Sequence, residues 1–499
     1  MTRFRWLALP LVTALAASGC ADTSSSSDED YLESVTALER NLEFESVVYV
    51  PVGSNDATIQ TSINTQTRTA LGSLLHSEIA VNTKELRTTS TSSWQRDEVD
   101  VYADGTHAKT RRILRVRYKY TDKAVMPKAF SRRTSFPLAV LAQPESVVNA
   151  QLRAPCTAND AHSAGYPLWY EIDTAKPACQ TMIAAEQKAV RAASTKLENP
   201  LLEVSEAELK RVFAPIKVRM RPTVQSNIKT YPEYDKLFRG GVEPGKLVIG
   251  LVNGRIDDSG VASNDSGWDD YFDQLSVVGA THTFALTAVD GSSPAALLPG
   301  ANQSLTLFTS KRGDRAFRDK LLGHWLSFEA PVRVKVGGET ERDFVIKIQA
   351  HFGDTAAVKR GIKTSDVFVY NGHSSLGGGL MSPSNFTAAD FPRSYQILWF
   401  DSCLSFTYYE KDYFPLKKAA AGTASGMDAM ELITNGLEAP SYNSGLAIGA
   451  LLAGVVGGRQ PSYEDLLREA IATDPLRVVD GDLDNSYKPA STPIVLKDR

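Results

Sequence analysis

The chain has 499 residues, more than a single hydrophobic core fills, so two or more domains are expected. With 42% hydrophobic and 22% charged residues, its composition is that of an ordinary globular protein. The formal charge is −4 and no basic stripe is present, which excludes nucleic acid as a partner.

At the N-terminus, Arg3 and Arg5 precede an apolar run from Trp6 to Ala17 that is too short to span a bilayer. A basic start, a short apolar centre and small residues describe a secretory signal. Ala17-Ser18-Gly19-Cys20 resembles the lipobox of bacterial lipoproteins, although that family prefers Leu where Ala17 stands. The resemblance implies that residues 1–19 are removed and Cys20 is acylated, anchoring the protein to the cell envelope. Ala21 in place of Asp points to the outer membrane. An ordinary signal cut nearby, with Cys20 incidental, is the alternative. Residues 20–43 then form a polar tether around "TSSSSDED".

Residues 44–240 read as a β-rich domain. "ILRVRYKY" (113–120) alternates, with Leu114, Val116, Tyr118 and Tyr120 on one face and Arg115, Arg117 and Lys119 on the other. Such a strand is antiparallel and half-buried, with one wet side. Segments 47–52 and 98–103 look similar. A helix is expected at about 181–196, and Ser205-x-x-Glu208 is a capping box that opens another. Cys156 and Cys179 bracket one loop, and in an exported protein they are expected to be bridged. Cys403 is then left over as a candidate reactive thiol.

Residues 241–499 change character. "KLVIGLV" (246–252), "DFVIKIQA" (343–350), "DVFVY" (366–370) and "YQILWF" (395–400) are continuous apolar runs, the pattern of parallel strands covered on both faces. Helices are expected at 316–326, 355–362 and 462–474, and at 445–458 as a glycine- and alanine-rich helix packed closely on the sheet. The expected fold class is α/β for this half, a mostly parallel sheet flanked by helices, behind a β-rich N-terminal domain.

Within it, "VFVYNGHSSLGGG" (367–379) is close to the strand-turn-helix that presents a nucleophilic serine. That turn needs Gly-x-Ser-x-Gly. With Ser374 the second glycine position holds Leu376, and with Ser375 the first holds His373. The triad order Ser, acid, His also requires a later histidine, and His373 is the last in the chain. The serine-hydrolase reading therefore fails.

His373 itself is the stronger candidate. It follows strand 366–370, and Asp401-Ser402-Cys403 follows strand 395–400. If these strands are parallel neighbours, imidazole and thiol emerge on one sheet edge, where active sites of open α/β sheets lie. Imidazole there can take the thiol proton and leave the nucleophilic thiolate. His351, which also ends an apolar strand, is an alternative base; His324 is expected inside a helix, in a structural role. Asp401, two residues before Cys403, can orient His373, read a basic substrate side chain, or stand in water as a strand-end carboxylate.

"VFVYNGHSS" and "ILWFDSCLS" resemble the two motif blocks of the caspase, gingipain and legumain group of cysteine peptidases, over about residues 245–475. The resemblance implies a caspase-like fold, His373 as general base and acid, and Cys403 as nucleophile. It implies the N–H groups of Ser374 and Cys403 as oxyanion donors, and a peptide or protein substrate. The family has Gly directly after the histidine; Ser374 stands there, and strain is expected if that position needs a backbone conformation reserved for glycine. No cofactor is required, and no Cys/His set has zinc spacing. "DGDLDN" places Asp480, Asp482 and Asp484 at alternate positions, like the start of a calcium loop, but Asn485 takes its glycine position and Ser491 its closing Glu. "RIDDSGVASNDSGWDDYFD" (255–273) is expected as a solvated acidic loop. The alternative function is a catalytically inert caspase-like fold acting as a surface binding or adhesion lipoprotein.

Overall fold

The computed structural model describes residues 37–69, 82–83, 93–127, 132–141, 176–181, 184, 203–211, 213–222, 229–257, 260–296, 298, 304–353, 356–374, 380–403, 405–409, 412–436, 439, 444–470 and 476–499. Tyr31–Arg499 forms one compact unit. Its architecture is mixed α/β, with two sheets and flanking helices.

The front sheet has the order β5-β7-β1-β4-β3-β6, built from β1 (Ala37–Val50), β3 (Gln95–Tyr102), β4 (Lys109–Pro127), β5 (Ser135–Leu141), β6 (Glu203–Ser205) and β7 (Phe213–Pro222), with β2 (Asn82–Thr83) beside β4. The alternation of β4 sends Val116, Tyr118 and Tyr120 into a core shared with Phe44, Val48 and the helix α1 (Asp56–Thr69), which contributes Ile59 and Ile63. The other face is only partly wet, which corrects the expected solvated side. Ile113 packs there with Val99, Val101 and Val204, and Arg115 is fully buried in an ion pair with Asp97. The capping box forms as read: Ser205 Oγ accepts from Glu208 N at 3.1 Å, opening α2 (Glu206–Leu209). The expected helix at 181–196 lies almost wholly outside the described residues.

The second sheet has nine strands: β8 (Lys246–Asn253), β9 (Ala285–Val289), β10 (Leu326–Val336), β11 (Arg342–Phe352), β12 (Val367–Asn371), β13 (Gln396–Asp401), β14 (Met430–Asn435), β15 (Arg477–Asp480) and β16 (Ile494–Asp498). Its order is β15-β14-β13-β12-β8-β11-β10-β16, with β9 on β10. The five inner strands, from β14 to β11, run parallel, and antiparallel strands flank them. One face is covered by α3 (Tyr234–Arg239), α4 (Gly267–Gly279), α10 (Ser444–Val456) and α11 (Tyr463–Glu469). The other is covered by α7 (Ala357–Thr364), α8 (Ser405–Tyr409) and α9 (Tyr413–Ala421). Two short helices, α5 (Leu305–Thr309) and α6 (Arg315–Leu321), precede β10.

Two expectations shift. The helix expected over 316–326 stops at Leu321, because Gly323 turns the chain at φ +76° and β10 begins at Leu326. The glycines of α10 serve neighbouring helices rather than the sheet: a Cβ on Gly445 would lie 2.4 Å from Asp270 O and one on Gly449 2.7 Å from Val277 Cβ, both on α4, and one on Gly454 would lie 2.5 Å from Leu466 Cδ2 on α11. Val125 of the front sheet packs with Phe406 of α8, with Leu476 and with Val478 of β15. Among the described residues no helix is long and apolar enough to cross a membrane.

Candidate active site

The two motif strands are neighbours. β12 and β13 pair in parallel with Asn371 opposite Asp401, and Gly372 N donates to Asp401 O at 3.4 Å. His373 and Cys403 therefore each stand two residues beyond that last pair, on strands roughly 4.8 Å apart. The edge is also where strand order reverses, since β8 has β11 on one side and β12 on the other. Crevices for ligands form at such switch points.

The loop after β8 holds the imidazole. His373 is exposed, and its Nε2 donates to Ile256 O at 3.0 Å, which fixes the proton on Nε2 and leaves Nδ1 as the basic nitrogen of the neutral ring. Asp265 organises that loop from within. Its carboxylate is buried, accepts from the backbone N–H groups of Ile256, Asp257 and Gly267 at 2.9–3.1 Å, and pairs with Arg255. The segment read as a solvated acidic loop is thus corrected: Asp265 is a buried organiser, and α4 begins at Gly267, with Asp270 buried. The loop crosses close over β12, since a Cβ on Gly372 would meet Gly254 Cα at 3.3 Å.

The cysteine sits in a tight turn between β13 and α8. Ser405 Oγ donates to Phe400 O at 2.7 Å and accepts from Asn435 N at 2.8 Å, while Asn435 Nδ2 donates to Ser402 O at 3.3 Å. Cys403 is half-buried and in no disulfide, and its thiol donates to Ala439 O at 3.8 Å. Ser374 is buried but is not among the described non-glycine residues with left-handed backbone, which are Asp290, Gln460 and Leu476. Serine in the glycine position therefore brings no backbone strain.

Asp401 takes none of the three roles considered for it. Its side chain is fully buried and faces a polar rung that runs across the sheet: Asn253, Asn371, Asp401, Asn435 and Arg477, one from each of β8, β12, β13, β14 and β15. Asn435 Nδ2 donates to Asp401 Oδ1 at 2.8 Å, and Arg477 Nη2 lies 3.4 Å from the same oxygen. Beyond the other end, Asn371 donates to Asn253 Oδ1 at 3.2 Å and to Asp270 Oδ2 at 3.0 Å, and Gly445 N donates to Asp270 Oδ1 at 2.8 Å. The carboxylate of Asp401 is committed to Arg477 and Asn435, and neither orients His373 nor meets solvent.

Burial pushes the Asp270 carboxyl up to about 6. The folded state thus holds a proton that the unfolded chain releases near pH 3.9. This contribution to stability is full below about pH 3.9 and is lost as pH rises through about 6. Asp270→Asn should therefore destabilise at pH 4.5 relative to its effect at pH 7, by up to about 2 kcal/mol. Urea unfolding of both chains at the two pH values checks this; a difference independent of pH would reject it.

The remaining candidates disperse. His351 is buried against Trp325 on the opposite face from the rung, three strand spacings from β13, roughly 14 Å. It is not the base. His324 lies after Gly323 rather than in a helix, with Nδ1 on Asp290 at 2.5 Å. Asp482 accepts from Thr230 Oγ1, and among the described residues no Asp, Glu, His and Cys group can hold a metal. Cys179 is buried and disulfide-bonded, while Cys156 and Cys20 lie outside the described residues. The rung has a signal in the sequence: four apolar runs end in Asn or Asp at one register level, "LVN", "VYN", "WFD" and "ITN".

No protein-family model, curated protein or solved structure matches the chain.

Proposed function

We propose that the chain is a cell-envelope cysteine peptidase of the caspase and gingipain kind, anchored through acylated Cys20, with Cys403 as nucleophile and His373 as acid and base. The observation that carries this reading is the register of β12 and β13, which sets the two residues at equivalent positions past one sheet edge. His373 Nδ1 takes the thiol proton while Nε2–H stays on Ile256 O. The thiolate attacks the peptide carbonyl, forming the C–S bond and an oxyanion facing the N–H groups of Ser374 and Cys403. On collapse the C–N bond breaks and the amine leaves with the proton from His373. Water, deprotonated by His373, then forms the acid and releases the thiolate.

The hydrogen bond from the thiol to Ala439 O favours the inert reading, because it keeps the proton on sulfur. Cleavage of a peptide library, read by mass spectrometry, decides between the two. Cys403→Ala should lower cleavage by about three orders of magnitude. A wild-type chain that cleaves no better than this variant would leave the fold as a binding module.

A further inference from the structure

Three tyrosines grip the loop that carries His373. Tyr370 OH donates to His373 O at 3.0 Å, Tyr409 OH donates to Ser374 O at 2.6 Å, and Tyr413 OH donates to Met381 O. All three are buried, and they come from β12, α8 and α9. The first two take the carbonyls on either side of the Ser374 nitrogen and Cα, so both peptide planes around Ser374 are held. Among the described residues no backbone or side-chain acceptor takes the Ser374 N–H.

We propose that Tyr370 is a positioning residue that aims the Ser374 N–H as an oxyanion donor, with Tyr409 fixing the following peptide; this rests on the peptidase reading above. The peptide between His373 and Ser374 is planar and trans, so its N–H points opposite to its C=O. The buried hydroxyl of Tyr370 draws the His373 carbonyl inward, and the Ser374 N–H faces the other way. The glycine of "VYNGHSS" has its explanation here. A Cβ on Gly372 would stand 2.8 Å from Tyr370 OH, closing the path by which the hydroxyl reaches over residue 372 to His373. Tyr409 lies on the helix that follows Cys403, so one hydrogen bond ties the nucleophile's helix to the oxyanion loop.

The test separates two reactions of one thiol, in the full chain carrying Cys20→Ser. Acylation by p-nitrophenyl acetate forms a C–S bond at a carbonyl, builds an oxyanion and expels p-nitrophenolate. Alkylation by iodoacetamide forms a C–S bond at a saturated carbon, expels iodide and builds no oxyanion. With the Cys403→Ala rate subtracted, Tyr370→Phe should lower acylation about tenfold, less than the loss of a whole oxyanion donor, and leave alkylation within about twofold. Tyr409→Phe should follow the same split. Tyr413→Phe, which frees the carbonyl of Met381 and neither peptide of Ser374, should change neither rate. Equal acylation by wild type and both the Tyr370 and Tyr409 variants overturns the positioning role alone. Acylation and alkylation falling together overturn it as well, since that is the signature of a merely structural contact. A wild-type chain with no Cys403-dependent acylation and only slow alkylation overturns the peptidase reading and this inference with it.

Discussion

Arg477→Met is expected to cost about 3–5 kcal/mol of stability, the range for stranding a buried charge by removing its partner. Arg477 and Asp401 are both almost completely inaccessible, with side-chain exposures of 1% and 0%. The guanidinium also donates through Nη1 to Ala470 O at 2.8 Å and lies over the Trp399 ring at 5.1 Å. Among the described residues Asp401 Oδ2 has no hydrogen-bond partner, so losing the cation leaves this carboxylate with Asn435. Adding Asp401→Asn to Arg477→Met should recover most of the loss, because the stranded charge goes with it. Urea unfolding of the single and double variants measures both quantities. A single variant within about 1 kcal/mol of wild type would show that the pair is not what holds this end of the sheet.

His373→Gln should slow alkylation of Cys403 by iodoacetamide about 100-fold at pH 6.5. An unassisted thiol ionises near pH 8.5, so only about 1% is thiolate there, whereas a thiol that passes its proton to an imidazole is largely ionised. Glutamine can still donate to Ile256 O, so the loop contact survives the change. The rate against pH should change from nearly flat above pH 6 to a curve climbing toward pH 8.5. Superimposable curves for the two chains would mean that no proton moves between residues 373 and 403.

The parallel strands were legible because strands covered on both faces leave no room for polar residues until they end. That made 246–252, 343–350, 366–370 and 395–400 stand out, and the order of the last two follows from the short crossover between them. β14 does not stand out because "MELITN" carries Glu431 and Thr434, which look like surface residues, although all six positions are buried. The expected helix overruns its end as far as Leu326, the first residue of β10, since Leu322 and Trp325 suit a helical period and only Gly323 marks the break. The roles of Asp401 and Asp270 were out of reach for a different reason. Their partners Arg477, Gly445 and Asn371 lie far along the chain, and a charge inside a strand end reads the same whether water or guanidinium faces it. In the sequence Tyr370 is one more apolar residue of its strand; its hydroxyl acts three residues ahead, where no periodicity points.

Phe406 is buried in the helix that follows Cys403, and Val125 of the front sheet is part of the cluster that covers it. Gly436, at the start of the segment that offers Ala439 O to the thiol, has Val125 Cγ1 3.0 Å from where a Cβ would be. One valine thus touches both walls of the cysteine turn from the front sheet, far earlier in the chain. Contacts of such sequence separation are made late, after loop closure has been overcome. The nucleophile's turn is therefore completed only once β4 has met β15 and α8, and a chain lacking either side carries an unfinished site. The C-terminal half made alone would present Phe406, Leu476 and Val478 to water, a surface suited to aggregation rather than to chemistry.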